Sequence, residues 1–177
     1  MKILKFGGSS VGNPEKIKSV IEIVRKKLDE NIAGVVFSAY SGVTDRLINA
    51  ANLALTRDKN YINLYDELKE QHLNFAKELV PTGKEGELLN EGLALRLAEL
   101  KEILDGIYLI KELTPKTLDY VQSFGELLSA YTISVAFKAA SLDAEFLDAR
   151  KVIKTDNNFN NARILKTETF YYIKEEF

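Results

Sequence analysis

A chain of 177 residues with 46% hydrophobic and 28% charged side chains has enough apolar material for a buried core and lacks the polar bias of a disordered segment. A net charge of -2 gives no basic field to draw it toward nucleic acid or an anionic membrane, and no stretch approaches the ~20 apolar residues of a membrane span. With no cysteine and a single histidine, disulfides, thiolate catalysis, histidine-based triads and multi-histidine zinc sites are excluded, and a cytoplasmic protein is expected.

Residues Lys2 to Phe6 read as a short buried strand ending in the turn Gly7-Gly8-Ser9-Ser10. Asn13-Pro14 starts a helix, with Asn13 as N-cap and Pro14 at the first helical position. Ile17, Val20, Ile21, Val24 and Leu28 share one face, and "DENIAG" is the expected end. The run "GVVFSAYSG" gives a second strand, apolar from Val35 to Phe37 and closed by a Ser/Gly loop. Strand, helix and strand in this order suggest a right-handed βαβ unit with parallel strands.

From Thr44 the pattern turns helical. Thr44 is a plausible cap for "TDRLINAANLAL", which groups Leu47, Ile48, Ala51 and Leu55. Asn60 to Leu79 and Glu87 to Leu104 read as amphipathic helices separated by "VPTGKEG". His72 falls on the apolar stripe of the first and reads as a packing residue rather than a ligand or base. "DGIYLIKEL" looks like a short separate piece. Thr114 and Pro115 then cap and open a helix running to about Ala140, with a break expected near Gly125. Ala144 to Leu147 and Lys151 to Ile153 look strand-like, and a last helix is expected to start near Asn160 or Asn161. So few strands fall short of a doubly wound sheet, and the chain reads as part of a larger unit.

Four segments carry candidate chemistry. At the first turn, glycines let the backbone approach an anion, the following helix N-terminus adds positive potential, and Lys5 adds a full charge; a plain strand-to-helix turn explains the same residues. Ser38, Ser41, Gly42 and Thr44 sit in the loop after the second strand, where parallel sheets bind ligands, although Ser/Gly loops and helix caps are common. Ser123 and Glu126 have capping-box spacing, so from spacing alone capping is preferred; a cleft-facing Glu126 holding a substrate ammonium group is the functional reading. Arg150 and Lys151 follow a strand-like run, either as a solvated strand end or reaching toward a cleft.

Together, "KFGGSSV", "VVFSAYSGVTDRL", "SFGELLSA" and "LDARKVIKTDNNFNNA" resemble the aspartate kinases of the amino acid kinase family, and most of all the bifunctional aspartokinase–homoserine dehydrogenases. The stretch from about Lys59 to Leu113 carries little of that resemblance. It implies an α/β protein, a three-layer αβα amino acid kinase fold. This chain would be the incomplete N-terminal part, with a mostly helical insertion at about 45–113.

The implied activity is phosphorylation of the aspartate side-chain carboxylate by ATP with Mg2+, giving aspartyl phosphate at the start of lysine, threonine and methionine biosynthesis. Carried onto matching positions, Lys5 would stabilise charge on the transferring phosphoryl group, and Gly7, Gly8 and Ser9 would lie under the phosphates. Ser38 and Thr44 would border the aspartate, Glu126 would meet its amino group, and no metal ligand is assigned. Phosphoryl transfer needs positioning and charge neutralisation more than a covalent nucleophile, so the lack of Cys is no objection.

The family's later glycine-rich segment of the G-R-G-G-S-D-Y type is not found, nor are the nucleotide-base pocket, regulatory modules or a dehydrogenase domain. The chain alone is therefore expected to be inactive, and its full-length parent a homo-oligomer. Rival readings are a kinase of the same superfamily acting on glutamate, acetylglutamate or a nucleotide, and a non-catalytic binding or assembly module.

Overall fold

The computed structural model describes residues 2–28 and 32–176. Strand β1 (Lys2–Phe6) and strand β2 (Ile32–Phe37) pair in parallel, with Leu4 opposite Val35, Lys5 opposite Val36 and Phe6 opposite Phe37. Helix α1 (Pro14–Lys26) connects them, as the sequence order implies. Its start follows the local chemistry: the Asn13 side chain accepts the Lys16 N–H at 2.9 Å, and Pro14 occupies the first turn, where its missing N–H costs nothing. Ile17, Val20, Ile21 and Val24 are buried, but Leu28 lies beyond the helix and is exposed. The helix closes at Lys26 with Lys27 as its cap, and the expected stop in "DENIAG" falls largely on residues outside those described.

Helices α2 (Val43–Leu55), α3 (Asn60–Leu79), α4 (Lys84–Ile110) and α5 (Pro115–Ala139) pack on one another, and β2 lies against α5. Their shared core includes Leu47, Leu68, Leu89, Leu93, Leu104 and Phe124, all essentially inaccessible. The sheet turns one face to it. Phe6 stacks on Phe37 at 5.9 Å, and Phe37 meets the edge of Phe137 at 5.8 Å. The opposite face is open, with Ile3 64% and Val36 50% exposed and Lys5 between them in the pattern. The expectation of a buried first strand is thus corrected: β1 half-buries only Leu4 and Phe6 and exposes the rest, because one face of the sheet is bare.

Several boundaries differ from expectation. α3 has the bounds its apolar stripe implied. α4 begins at Lys84 and absorbs "DGIYLI", because Leu104 and Ile107 pack into the core on either side of Gly106 and their burial outweighs the glycine's cost of about 1 kcal/mol. α5 starts at the Thr114 cap, whose hydroxyl accepts the Thr117 N–H at 3.1 Å, and runs through Gly125 without a break. Residues 144–147 form no strand. Residues 149–152 make one helical turn, α6 (Ala149–Val152), capped by Asp148. The last helix, α7 (Lys166–Glu176), begins some five residues later than expected, after the isolated bridge between Thr155 and Ile164.

A candidate substrate site at the ends of the parallel strands

Both loops that leave the carboxyl ends of β1 and β2 emerge at the same edge of the sheet, where open parallel sheets place ligands. The first folds into a 3-10 turn, Gly8–Ser10, started by Gly7 in extended conformation. Ser10 N–H donates to the Gly7 carbonyl at 2.8 Å, and the Lys16 ammonium reaches back from α1 to the Ser9 carbonyl at 2.9 Å. Gly8 lies tight against the second loop: a Cβ there would sit 3.2 Å from the Ala39 carbonyl oxygen. Glycine is favoured at this point by close approach of the two loops, not by an unusual backbone angle.

The second loop continues the parallel ladder for one residue, with Ser38 N–H donating to the Phe6 carbonyl at 3.1 Å. The Ser38 carbonyl accepts from the buried Ser129 hydroxyl of α5 at 2.8 Å. Gly42, at φ 75°, turns the chain into α2 and serves as its N-cap, so Thr44 is not the cap the sequence suggested. Thr44 stands within the first turn of α2, with its hydroxyl facing α5. A Cβ added to Gly125 would lie 2.8 Å from the Ala39 Cβ and 3.7 Å from the Thr44 hydroxyl oxygen. The glycine read as a helix break is where α5 and the loop touch.

Glu126 follows directly. It lies deep inside α5, well past the first turn, so the capping role is overturned. Ser123 does not cap either; its hydroxyl donates to the Tyr120 carbonyl at 2.7 Å. Glu126 sends its carboxylate across to the loop, where Oε1 accepts the Ala39 N–H at 3.2 Å. A carboxylate offers about four lone-pair directions, so one backbone bond leaves capacity for an ammonium group.

Of the residues singled out by sequence, Ser38, Thr44 and Glu126 are thus gathered around Ala39, with Gly8 against the same residue from the other loop. Lys5 stands at the exposed end of β1, opposite Val36. Arg150 is held elsewhere: it forms a bidentate pair with Asp148, its shortest contact 2.8 Å, and reaches the Ser123 hydroxyl at 3.3 Å, one turn before Glu126. That pairing raises the Arg150 pKa and, together with backbone bonding, holds the Asp148 carboxyl down against its burial. Lys151 is exposed. Ala39, Ser129 and Gly125 were missed by sequence reasoning; a glycine inside an apolar helical pattern was the one available signal of close approach.

The amino acid kinase family model matches residues 1–171. The chain belongs to the amino acid kinase family. It is 37% identical to aspartokinase 2 of Arabidopsis thaliana over 172 residues, which cover 93% of this chain and 29% of that protein. It is 35% identical to bifunctional aspartokinase/homoserine dehydrogenase 1 of Zea mays over 149 residues, covering 84% of this chain and 16% of the other. Both relatives are named as chloroplastic. The chain therefore spans less than a third of either.

The fold matches E. coli aspartokinase III, solved in complex with aspartate and ADP, at a TM-score of 0.85 and 22% identity, over 98% of this chain and 37% of that one. The same enzyme in complex with lysine and aspartate gives a TM-score of 0.84. The family's fold is accordingly that of this chain, in part: a small parallel sheet with a mostly helical body. No helix among the described residues is long and apolar enough to cross a membrane.

Proposed function

We propose that this chain forms the acceptor side of an aspartate kinase site, binding L-aspartate and presenting its side-chain carboxylate to the γ-phosphoryl group of ATP. The observation that carries the reading is Glu126, a carboxylate on α5 fixed by the Ala39 N–H at the mouth of the second loop. Placed there it can pair with the substrate ammonium group, while the Ser38 and Thr44 hydroxyls border the rest of the amino acid. The aspartokinase relatives, and the aspartate in the complexes of the E. coli enzyme, support the choice of substrate.

In the transfer, a carboxylate oxygen of aspartate forms the new P–O bond as the bond from the γ-phosphorus to the bridging oxygen breaks, and the electron pair leaves with ADP. The chain contributes position and charge. Lys5, one residue before the end of β1, would offset negative charge on the phosphoryl oxygens, and the turn of Gly7, Gly8 and Ser9 would lie beneath the phosphates. Mg2+ would arrive with the nucleotide and neutralise its phosphate oxygens. No group of three or more His, Cys, Asp or Glu able to hold a metal is present among the described residues.

Calorimetric titration with L-aspartate tests the reading. Binding by the wild-type chain, weakened roughly 10- to 100-fold in Glu126→Gln, is expected from loss of one charge-assisted hydrogen bond of about 1.5–3 kcal/mol. Equal affinity in the variant, or preference for glutamate, acetylglutamate or a nucleotide, refutes the aspartate assignment. The reading also holds that the 177 residues alone bind without turnover; aspartate-dependent ADP release from the purified chain would contradict that part.

A further inference from the structure

The β2–α2 loop is held on its α5 side by two polar contacts, Ala39 N–H to the Glu126 carboxylate and the Ser129 hydroxyl to the Ser38 carbonyl. Between these and Gly42 lies Tyr40, which the proposed reaction does not use. Its side chain points away from the site and is 1% exposed. The ring stacks on His72 of α3 at 4.8 Å with an interplanar angle of 25°, and meets Phe75 of the same helix at 4.8 Å. Its backbone carbonyl accepts the Val43 N–H at 3.0 Å, so the residue also begins α2.

Three polar atoms at this junction have no hydrogen-bond partner among the described residues: the Tyr40 hydroxyl and both nitrogens of His72. Polar groups buried in this way cost free energy unless packing compensates. Here the compensation is aromatic, two rings of α3 against one ring of the loop.

We infer that Tyr40 is a positioning residue of the proposed aspartate site, seated between His72 and Phe75 so that α3 sets the depth of the loop and thereby the Ala39 N–H that fixes Glu126. This inference rests on the function proposed above. It gives α3 a part in the site that no motif in its sequence assigns. The seat is neutral by construction. Arg46 of α2, hydrogen-bonded to Gln71, is the charged group that bears on His72, and from α5 the Thr132 hydroxyl, donating to the Leu128 carbonyl at 2.9 Å, is the polar group that bears on Tyr40. A loop without this anchor retains its hydrogen-bonding groups but not their placement.

The test reads the Ala39 amide directly, by hydrogen exchange in the native 177-residue chain. Tyr40→Ala is expected to raise Ala39 exchange at least 10-fold and Tyr40→Phe to restore protection, because the ring and not the hydroxyl makes the seat. Leu68→Ala, a cavity in α3 that keeps the rings of Tyr40, His72 and Phe75, controls for general loss of stability; at matched thermal stability it leaves Ala39 protected. Should Tyr40→Ala not fold, His72→Ala removes one side of the seat and serves in its place. Unchanged Ala39 exchange in Tyr40→Ala, or in His72→Ala where it stands in, or an equal rise in Leu68→Ala, overturns the inference. Aspartate titration of the same proteins separates the two claims. Wild-type binding that weakens at least 10-fold in Tyr40→Ala and recovers in Tyr40→Phe supports both. Absence of wild-type binding, with Ala39 exchange behaving as expected, overturns the aspartate reading and supports the placement of the loop by α3.

Discussion

Acidification should loosen this protein through His72. The imidazole is fully buried, neither nitrogen has a hydrogen-bond partner among the described residues, and burial, followed by the positive charge of Arg46, pulls its pKa from 6.5 to about 3. The unfolded chain therefore takes up a proton near pH 6.5 while the folded chain resists until about pH 3. Between those values the unfolded state binds more protons, so stability is complete above pH 6.5 and falls as pH falls. The limiting slope is about 1.4 kcal/mol per pH unit, and the loss accumulated from pH 8 to pH 5 comes to about 2 kcal/mol. Carboxylates held low in the fold, such as Asp148 and Asp105, weaken stability mainly below the ordinary carboxylate pKa of about 4, so the interval from pH 8 to 5 isolates the histidine. Urea unfolding at pH 8, 6.5 and 5, on the wild type and on His72→Leu, measures it. The wild type should lose about 2 kcal/mol across the series and the variant little. Parallel losses in both proteins would refute the argument and assign the acid sensitivity elsewhere.

Three further outcomes follow from contacts at the site and its supports. Gly125→Ala should destabilise by about 1–3 kcal/mol through overpacking against Ala39, in spite of a helix propensity gain of about 1 kcal/mol, and thermal unfolding would show it. An unchanged or raised melting temperature would mean that α5 and the loop are not in that contact. Ser129→Ala should cost about 1 kcal/mol by leaving the Ser38 carbonyl without its hydroxyl donor, measured by urea unfolding. Asn13→Ala should cost a similar amount, about 1 kcal/mol, by removing the cap of the helix that follows the glycine turn, with Asn13→Asp restoring most of it.

Much of this architecture was legible because its signals are local. The caps at Asn13 and Thr114, each followed by proline, fixed two helix starts, and a regular apolar stripe bounded α3. His72 was read correctly as a packing residue, although it is wholly rather than partly buried. What failed depended on partners distant in sequence. Glu126 has capping-box spacing, yet its carboxylate serves a loop 87 residues away, and no local pattern encodes that pairing. Gly125 looked like a break because the flat contact with Ala39 that makes it useful is tertiary. Residues 144–153 have apolar runs of strand length, but short runs do not distinguish strand from irregular chain packed on helices. Here Phe146 packs edge-on against Tyr131 at 5.4 Å instead of entering the sheet.

The central claim is that Glu126, held by the Ala39 N–H, receives the ammonium group of aspartate. Amide chemical-shift mapping of the 177-residue chain, titrated with L-aspartate and in parallel with succinate, tests it most directly. Succinate has both carboxylates and no ammonium. The expected result is saturable shifts at Ser38, Ala39, Thr44 and Glu126 with aspartate, and much weaker ones with succinate. Equal shifts from both ligands, or aspartate shifts confined to residues away from these four, would contradict the account.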